Sequence, residues 1–100
     1  PLNRGMLGGE ITHNTKFAAK NDNRAALPRF LEPNLSGNLK LVDVLERFGR
    51  PRGLTASQTA LAWLLAKAPS IVPIPGTTKQ MHLEENLAAA QAFIKLTRSE

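Results

Sequence analysis

The residues of this chain best suited to chemistry lie together in one run, Ile74-Pro75-Gly76-Thr77-Thr78-Lys79-Gln80-Met81-His82-Leu83-Glu84-Glu85-Asn86. A glycine-bearing turn here leads an apolar run into the start of a helix. The first amides of a helix lack intrahelical partners, and the macrodipole adds positive potential, so such a junction attracts an anion. Lys79 sharpens the inference: a cation in the first turn opposes the dipole, and a bound phosphate would reverse that sign. Thr77 and Thr78 add hydroxyls that can cap the helix or donate to phosphate oxygens. Steps of four and three from Thr78 carry His82 and Glu85 onto one face with Asn86 beside them, while Leu83 and Leu87 point the other way. A nucleotide suits this set, its phosphate near Thr78 and Lys79 and its purine edge met by Glu85 and Asn86.

Plainer readings stand beside this one. Thr77 also fits a simple N-cap with Gln80 completing the box, and His82 a solvent-facing helix residue. Glu84 and Glu85 also fit as favourable charges early in a helix. Trp63 reads as core. The composition removes other chemistries: there is no cysteine, hence no disulfide and no thiolate metal site, and His13 and His82 stand far apart without ligand spacing, so no metal is expected. The net charge of +5 is spread along the chain and identifies no partner by itself. No apolar run approaches the roughly 20 residues of a membrane helix, and the first residues lack a signal-peptide pattern, so a soluble, cytoplasmic setting is expected.

The elements that must position these residues follow from periodicity and breakers. Residues 1–35 are rich in Gly, Pro and Asn and read as a long loop with at most one short helical turn, a length that hints at a lid or ligand-binding segment. Leu41, Val42, Leu45 and Phe48 recur at helical spacing and predict a helix over 38–48 with one apolar stripe, stopped by Gly49 and Pro51. Thr55 and Gln58 form a capping box for a second helix that ends before Pro69, with Ala60, Leu61, Leu64, Leu65 and Ala68 on its packing side. Residues 70–76 have the short, β-branched look of a strand buried on both faces, with Pro73 and Pro75 assigning part of it to an end or edge. A third helix is predicted over 79–93, packing through Leu83, Leu87, Ala90 and Ile94. One strand between helices calls for partners, and the order points to an α/β fold with a parallel sheet, only one or a few of whose strands lie in this mostly helical segment. Both ends read as cuts, since Thr97 and Glu100 have capping-box spacing for a helix that does not follow.

Taken with Ala60-Leu61-Ala62-Trp63-Leu64-Leu65, the Ile74–Lys79 and His82–Asn86 blocks resemble the C-terminal signature of the aldo-keto reductase family. Pro1-Leu2-Asn3-Arg4-Gly5 is similar to the loop after that family's seventh barrel strand, and Pro28-Arg29-Phe30 to a stretch common in its bacterial members. The resemblance spans the whole chain. It implies the C-terminal part of a (β/α)8 barrel in which residues 1–35 cover the cofactor and 36–100 carry the nucleotide-phosphate site, with NADP(H) across the C-terminal ends of the strands. By that resemblance Gly76, Thr77, Thr78, Lys79 and His82 surround the 2′-phosphate and adenosine ribose, and Glu85 and Asn86 face the adenine. Leu2, Arg4 and Gly5 follow the pyrophosphate, and Arg24 helps to close the loop. His82 stands where many relatives have arginine, which softens the expected preference for NADPH over NADH. The family reduces aldehydes and ketones with a tyrosine as proton donor. This chain contains no tyrosine, so no catalytic residue is assigned to it, and the segment alone is expected to be inactive, to fold poorly because its strand lacks partners and its helices lack a barrel to cover, and to self-associate where its sheet is missing.

Two rivals remain at this stage. The helices at 38–48 and from Thr55 could form a helix-turn-helix with Arg47, Arg50 and Arg52 near DNA phosphates, although the second helix offers mainly apolar side chains and the turn is long. Alternatively, the segment could be a structural or oligomerisation module without cofactor contact.

Overall fold

A computed structural model describes residues 1–18 and 20–92. Three α-helices carry the architecture: α1 (Asn34–Gly49), α2 (Ala56–Lys67) and α3 (Gln80–Ala92). Short 3-10 segments at Asn3–Gly8, Asn23–Ala26 and Pro28–Phe30 precede them, and one at Arg50–Arg52 links α1 to α2. The predicted helix at 38–48 therefore begins earlier, and residues 1–35 carry three helical turns rather than at most one. Helix 3 matches its prediction as far as Ala92; Ile94 and the Thr97–Glu100 spacing lie outside the described residues.

The helix start at α2 follows the sequence closely. Thr55 Oγ1 accepts the Gln58 N–H at 3.2 Å, and the Gln58 side chain accepts the Thr55 N–H at 3.1 Å, so both orphan amides are satisfied. Between α1 and α2, Gly49 permits close approach. A Cβ there would lie 2.7 Å from the Leu54 carbonyl oxygen and would also collide with the Thr59 hydroxyl.

The main core forms where the N-terminal segment folds over α1. Met6, Ile11, Phe30, Leu35, Val42 and Ala56 are buried together, with Leu7, Phe17, Leu27, Leu39 and Leu45 packed around them. Phe17 and Phe30 meet edge to face with centroids 5.2 Å apart, a favoured aromatic geometry. The expected α1 stripe is thus rotated: Leu41 is exposed, and Leu35 takes an inward place instead. A second packed layer lies between α2 and α3, where Ala60, Leu61, Ala62, Ala89 and Ala92 are buried.

Three further expectations change. No strand forms among the described residues, and Val72 and Ile74 are 79% and 83% exposed. The reason is hydrogen bonding: Pro73 and Pro75 donate nothing, and the other amides of 70–76 meet no neighbouring strand to pair with. Trp63, read as core, is 49% exposed with the Lys67 ammonium 4.8 Å above its ring. The packing side of α3 is also the opposite of the predicted one. Leu83, Leu87 and Ala90 face outward, while His82, Glu85, Asn86, Ala89 and Ala92 form the inner side.

The exposed leucines of α3 are not scattered. With Leu61, Leu65, Val72, Pro73 and Pro75 they line an apolar groove of about 360 Å³. The first half of α2, which a DNA-reading helix would have to present, is buried: Ala56, Ser57, Thr59, Ala60, Leu61 and Ala62 are all inside. No described helix is long and apolar enough to cross a membrane, and the described residues contain no group of three metal-ligating side chains.

Candidate functional site

Two distant parts of the sequence meet at one cleft. Leu2, Gly5, Gly8 and Glu10 from the N-terminal turn face Ser57, Gly76, His82, Glu85 and Asn86 around a space of about 180 Å³. Six residues singled out from the sequence, Leu2, Gly5, Gly76, His82, Glu85 and Asn86, are thereby brought together. The other four, Arg4, Thr77, Thr78 and Lys79, lie outside its walls.

The roof is a tight turn in an unusual conformation. Asn3 and Arg4 both take left-handed backbone angles, with φ of 53° and 54°, and Gly5 follows at 93°. Non-glycine residues pay for that conformation and keep it only where the surroundings dictate it. Here Arg24 does so. Its guanidinium grips Asp22 through Nε (2.9 Å to Oδ1) and Nη2 (2.5 Å to Oδ2), lies 4.4 Å over the Phe17 ring, and donates from Nη1 to the Arg4 carbonyl at 3.1 Å. The hydrogen bond from Arg24 holds the Asp22 carboxyl below its usual range. A Cβ on Gly5 would sit 3.2 Å from Arg24 Nη1, so the turn and the guanidinium are fitted to each other. Arg29 bonds the Asn3 side chain, and Arg4 reaches Asn23 at 3.5 Å.

The floor is built by α2 and α3. Thr55 and Ser57 hydroxyls both donate to Glu85 Oε1 at 2.5 Å, and the Gln58 amide donates to the Glu85 carbonyl at 3.1 Å. Burial would raise the Glu85 carboxyl, but the bonds from Ser57 and Thr55, with the nearby His82 charge, outweigh it and hold the group below its ordinary value. Among the described residues Oε2 of Glu85 accepts no hydrogen bond and stays available to a donor in the cleft. Ser57, Gly8 and Glu10 were not singled out from the sequence. The polar Thr55-Ala56-Ser57-Gln58 cluster and the Gly8-Gly9 pair before Glu10 are the marks that could have revealed them.

At the mouth, residues Gly76 to Gln80 are all exposed. Thr77 Oγ1 accepts the Lys79 N–H at 3.1 Å, and the Lys79 carbonyl accepts the Leu83 N–H at 3.1 Å. Thr77 therefore closes a local turn just before the helix, and the Thr77–Gln80 capping box does not form. Gln80 instead bonds Glu84 at 3.1 Å. His82 Nε2 lies 3.5 Å from Glu10 Oε1, joining α3 to the N-terminal segment.

Comparison with known proteins agrees with the resemblance. The chain is 41% identical over all its 100 residues to aldo-keto reductase str7 of Strobilurus tenacellus, covering 29% of that protein. It is 40% identical over 89 residues to aldo-keto reductase yakc [NADP(+)] of Schizosaccharomyces pombe, covering 26% of it. Probable aldo-keto reductase 1 of Glycine max is 38% identical over 90 residues, a quarter (25%) of its length. The chain thus spans between 25% and 29% of these relatives. No solved structure matches it at a significant level. The model of the aldo/keto reductase family matches residues 1–100 from end to end, and the chain belongs to that family.

Proposed function

We propose that this chain forms the nucleotide-holding part of an NADP(H)-dependent oxidoreductase that reduces aldehydes and ketones to alcohols, within the C-terminal part of a (β/α)8 barrel. Family membership supports the reaction class, and the name of the Schizosaccharomyces pombe relative specifies NADP(+). The observation that carries the reading is the cleft that joins Leu2 and Gly5 to Gly76, His82, Glu85 and Asn86.

The donor set fits such a cofactor. The exposed turn from Gly76 to Lys79, just before a 13-residue helix, offers the amides not used in the Thr77–Lys79 turn, the Thr78 hydroxyl and an ammonium group to a phosphate. Asn86 and the unoccupied Oε2 of Glu85 suit the mixed donors and acceptors of a purine edge. The turn at Leu2 to Gly5, with Arg4 beside it, would follow the pyrophosphate. When bound, the dinucleotide supplies the reducing electron pair. The residues of this chain bind and orient it; proton transfer belongs to a tyrosine that this chain does not contain.

The apolar groove lined by Leu61, Leu65, Leu83 and Leu87 fits the same reading, because helices of a barrel pack one face against its sheet. In the full-length protein that carries this segment, Lys79→Met should weaken NADP+ about three- to tenfold more than NAD+, the size of a partly exposed charge-assisted contact. Calorimetric titration of both dinucleotides checks this. Equal losses for the two, or no binding by the parent protein, would refute the assignment.

A further inference from the structure

We propose that Glu10 is a specificity-determining residue of the cleft: it disfavours a phosphate on the adenosine ribose relative to free hydroxyls, and so keeps the non-phosphorylated dinucleotide competitive. The proposal rests on reading the cleft as the nucleotide site.

Three observations carry it. Glu10 lines the cleft, and its Oε1 stands 3.5 Å from His82 Nε2. The ionisable groups facing His82 are then Glu10 from the N-terminal segment and Glu85 one turn along its own helix; Ser57 is the polar residue from α2. Two carboxylates against one imidazole leave the lining acidic whether His82 is protonated or not, and Lys79, the cation suited to phosphate, lies outside the walls. Carboxylates accept hydrogen bonds from ribose hydroxyls and repel a nearby phosphate dianion, and Gly76, the first residue of the proposed phosphate-holding turn, lines this same cleft.

Backbone constraints hold Glu10 there. Gly9 precedes it in the left-handed region at φ 78°, and a Cβ on Gly9 would lie 3.1 Å from Glu46 Oε1 and 3.5 Å from the Ala56 Cβ. Ile11 follows it into the core. The carboxylate is thus presented between a glycine turn that other residues rarely adopt and a buried anchor. Its side chain is 74% exposed, so solvent and salt screen its field and the effect is modest, about two- to fivefold in relative affinity.

The test compares NAD+ and NADP+ affinities by calorimetry in the full-length protein, for the parent, Glu10→Gln and Glu10→Lys. The ratio of the NAD+ to the NADP+ dissociation constant should rise about two- to fivefold in E10Q, rise further in E10K, and lose most of the difference in high salt. An unchanged or falling ratio in both variants, with NADP+ still bound by the parent, overturns the role of Glu10 alone. Failure of the parent to bind either dinucleotide overturns the nucleotide-site reading and this proposal with it.

Discussion

Glycine to alanine at two positions of the same helix should move stability in opposite directions. Gly37 and Gly49 both lie in α1, and a helix interior generally gains about 0.5–1 kcal/mol from alanine in place of glycine. A Cβ on Gly37 meets nothing within 4 Å, so Gly37→Ala should keep that gain. A Cβ on Gly49 meets the Leu54 carbonyl at 2.7 Å and the Leu54 Cβ at 3.3 Å, besides the Thr59 hydroxyl. The carbonyl belongs to the backbone and cannot swing aside. Overpacking of this kind costs about 1–3 kcal/mol. Displacing the Thr59 hydroxyl from its 2.8 Å bond to the Thr55 carbonyl adds about 1 kcal/mol. Against the propensity gain, Gly49→Ala should be destabilising by about 1–3 kcal/mol. Urea slopes grow with chain size, to about 3 kcal/mol per molar or more for a protein several times this length, so its midpoint should fall by several tenths of a molar while that of Gly37→Ala rises by about a tenth or two. Equilibrium urea unfolding of the full-length variants, followed by far-ultraviolet circular dichroism, measures both. Two shifts of the same sign would show that α1 and α2 do not approach as closely as Gly49 allows.

The Glu85 tether makes a pH prediction. Its carboxyl is held below the ordinary value in the folded state, so the ionised group stabilises the fold above its unfolded pKa, and that contribution is lost as pH falls through the folded pKa. Glu85→Gln should flatten stability against pH in that acidic window and leave the neutral-to-alkaline limb unchanged in slope; an unaltered acid limb would show that the tether contributes nothing. Thr55→Ala combined with Ser57→Ala should weaken nucleotide binding several-fold by releasing Glu85 from the cleft floor, in a titration where Lys40→Ala, outside the cleft lining, serves as the control. Arg24→Ala should free the turn from Leu2 to Gly5 and speed limited proteolysis within the first ten residues, and a cleavage rate equal to that of the parent would argue that the Asp22–Arg24 grip does not hold the roof.

How far the sequence foretold the site depends on the range of the interactions involved. The α2 cap was legible because Thr55 and Gln58 satisfy each other within four residues. The order of helices was equally local, set by Gly49, Pro51, Pro69 and the periodic apolar positions. The cluster at Gly76 to Asn86 announced itself by residue type. Its partners did not: Ser57 sits 28 residues from Glu85, and no periodicity reveals that its hydroxyl bonds that carboxylate. Nor could spacing show that Glu10 comes to face His82. The strand expected over 70–76 does not form among the described residues for a different reason: β-branched composition states what a segment can do once it has a neighbour, and the backbone needs that neighbour to pair. The 3-10 turns before Asn34 were hidden because single turns carry too few residues to establish a period.

The inversion of α3 follows from what its two faces can touch. Leu83 and Leu87 offer more apolar area, yet the inner face carries Ala89 and Ala92, small enough for the α2 and α3 backbones to approach, and Glu85, whose bonds to Thr55 and Ser57 offset its partial burial. Outward leucines still need cover, and the proposed barrel supplies it. Leucine substitutions on the two faces separate these effects. Ala89 is 1% exposed, so Ala89→Leu should cost about 1–3 kcal/mol wherever α3 packs on α2. Ala90 lines the apolar groove on the outer face of α3. In the full-length protein Ala90→Leu should carry a cost comparable to that of Ala89→Leu, because the groove is then filled. Thermal unfolding of the two full-length variants decides the matter. A harmless Ala89→Leu would mean that α3 packs through its leucines after all, and a harmless Ala90→Leu in the full-length protein would mean that no sheet covers the groove.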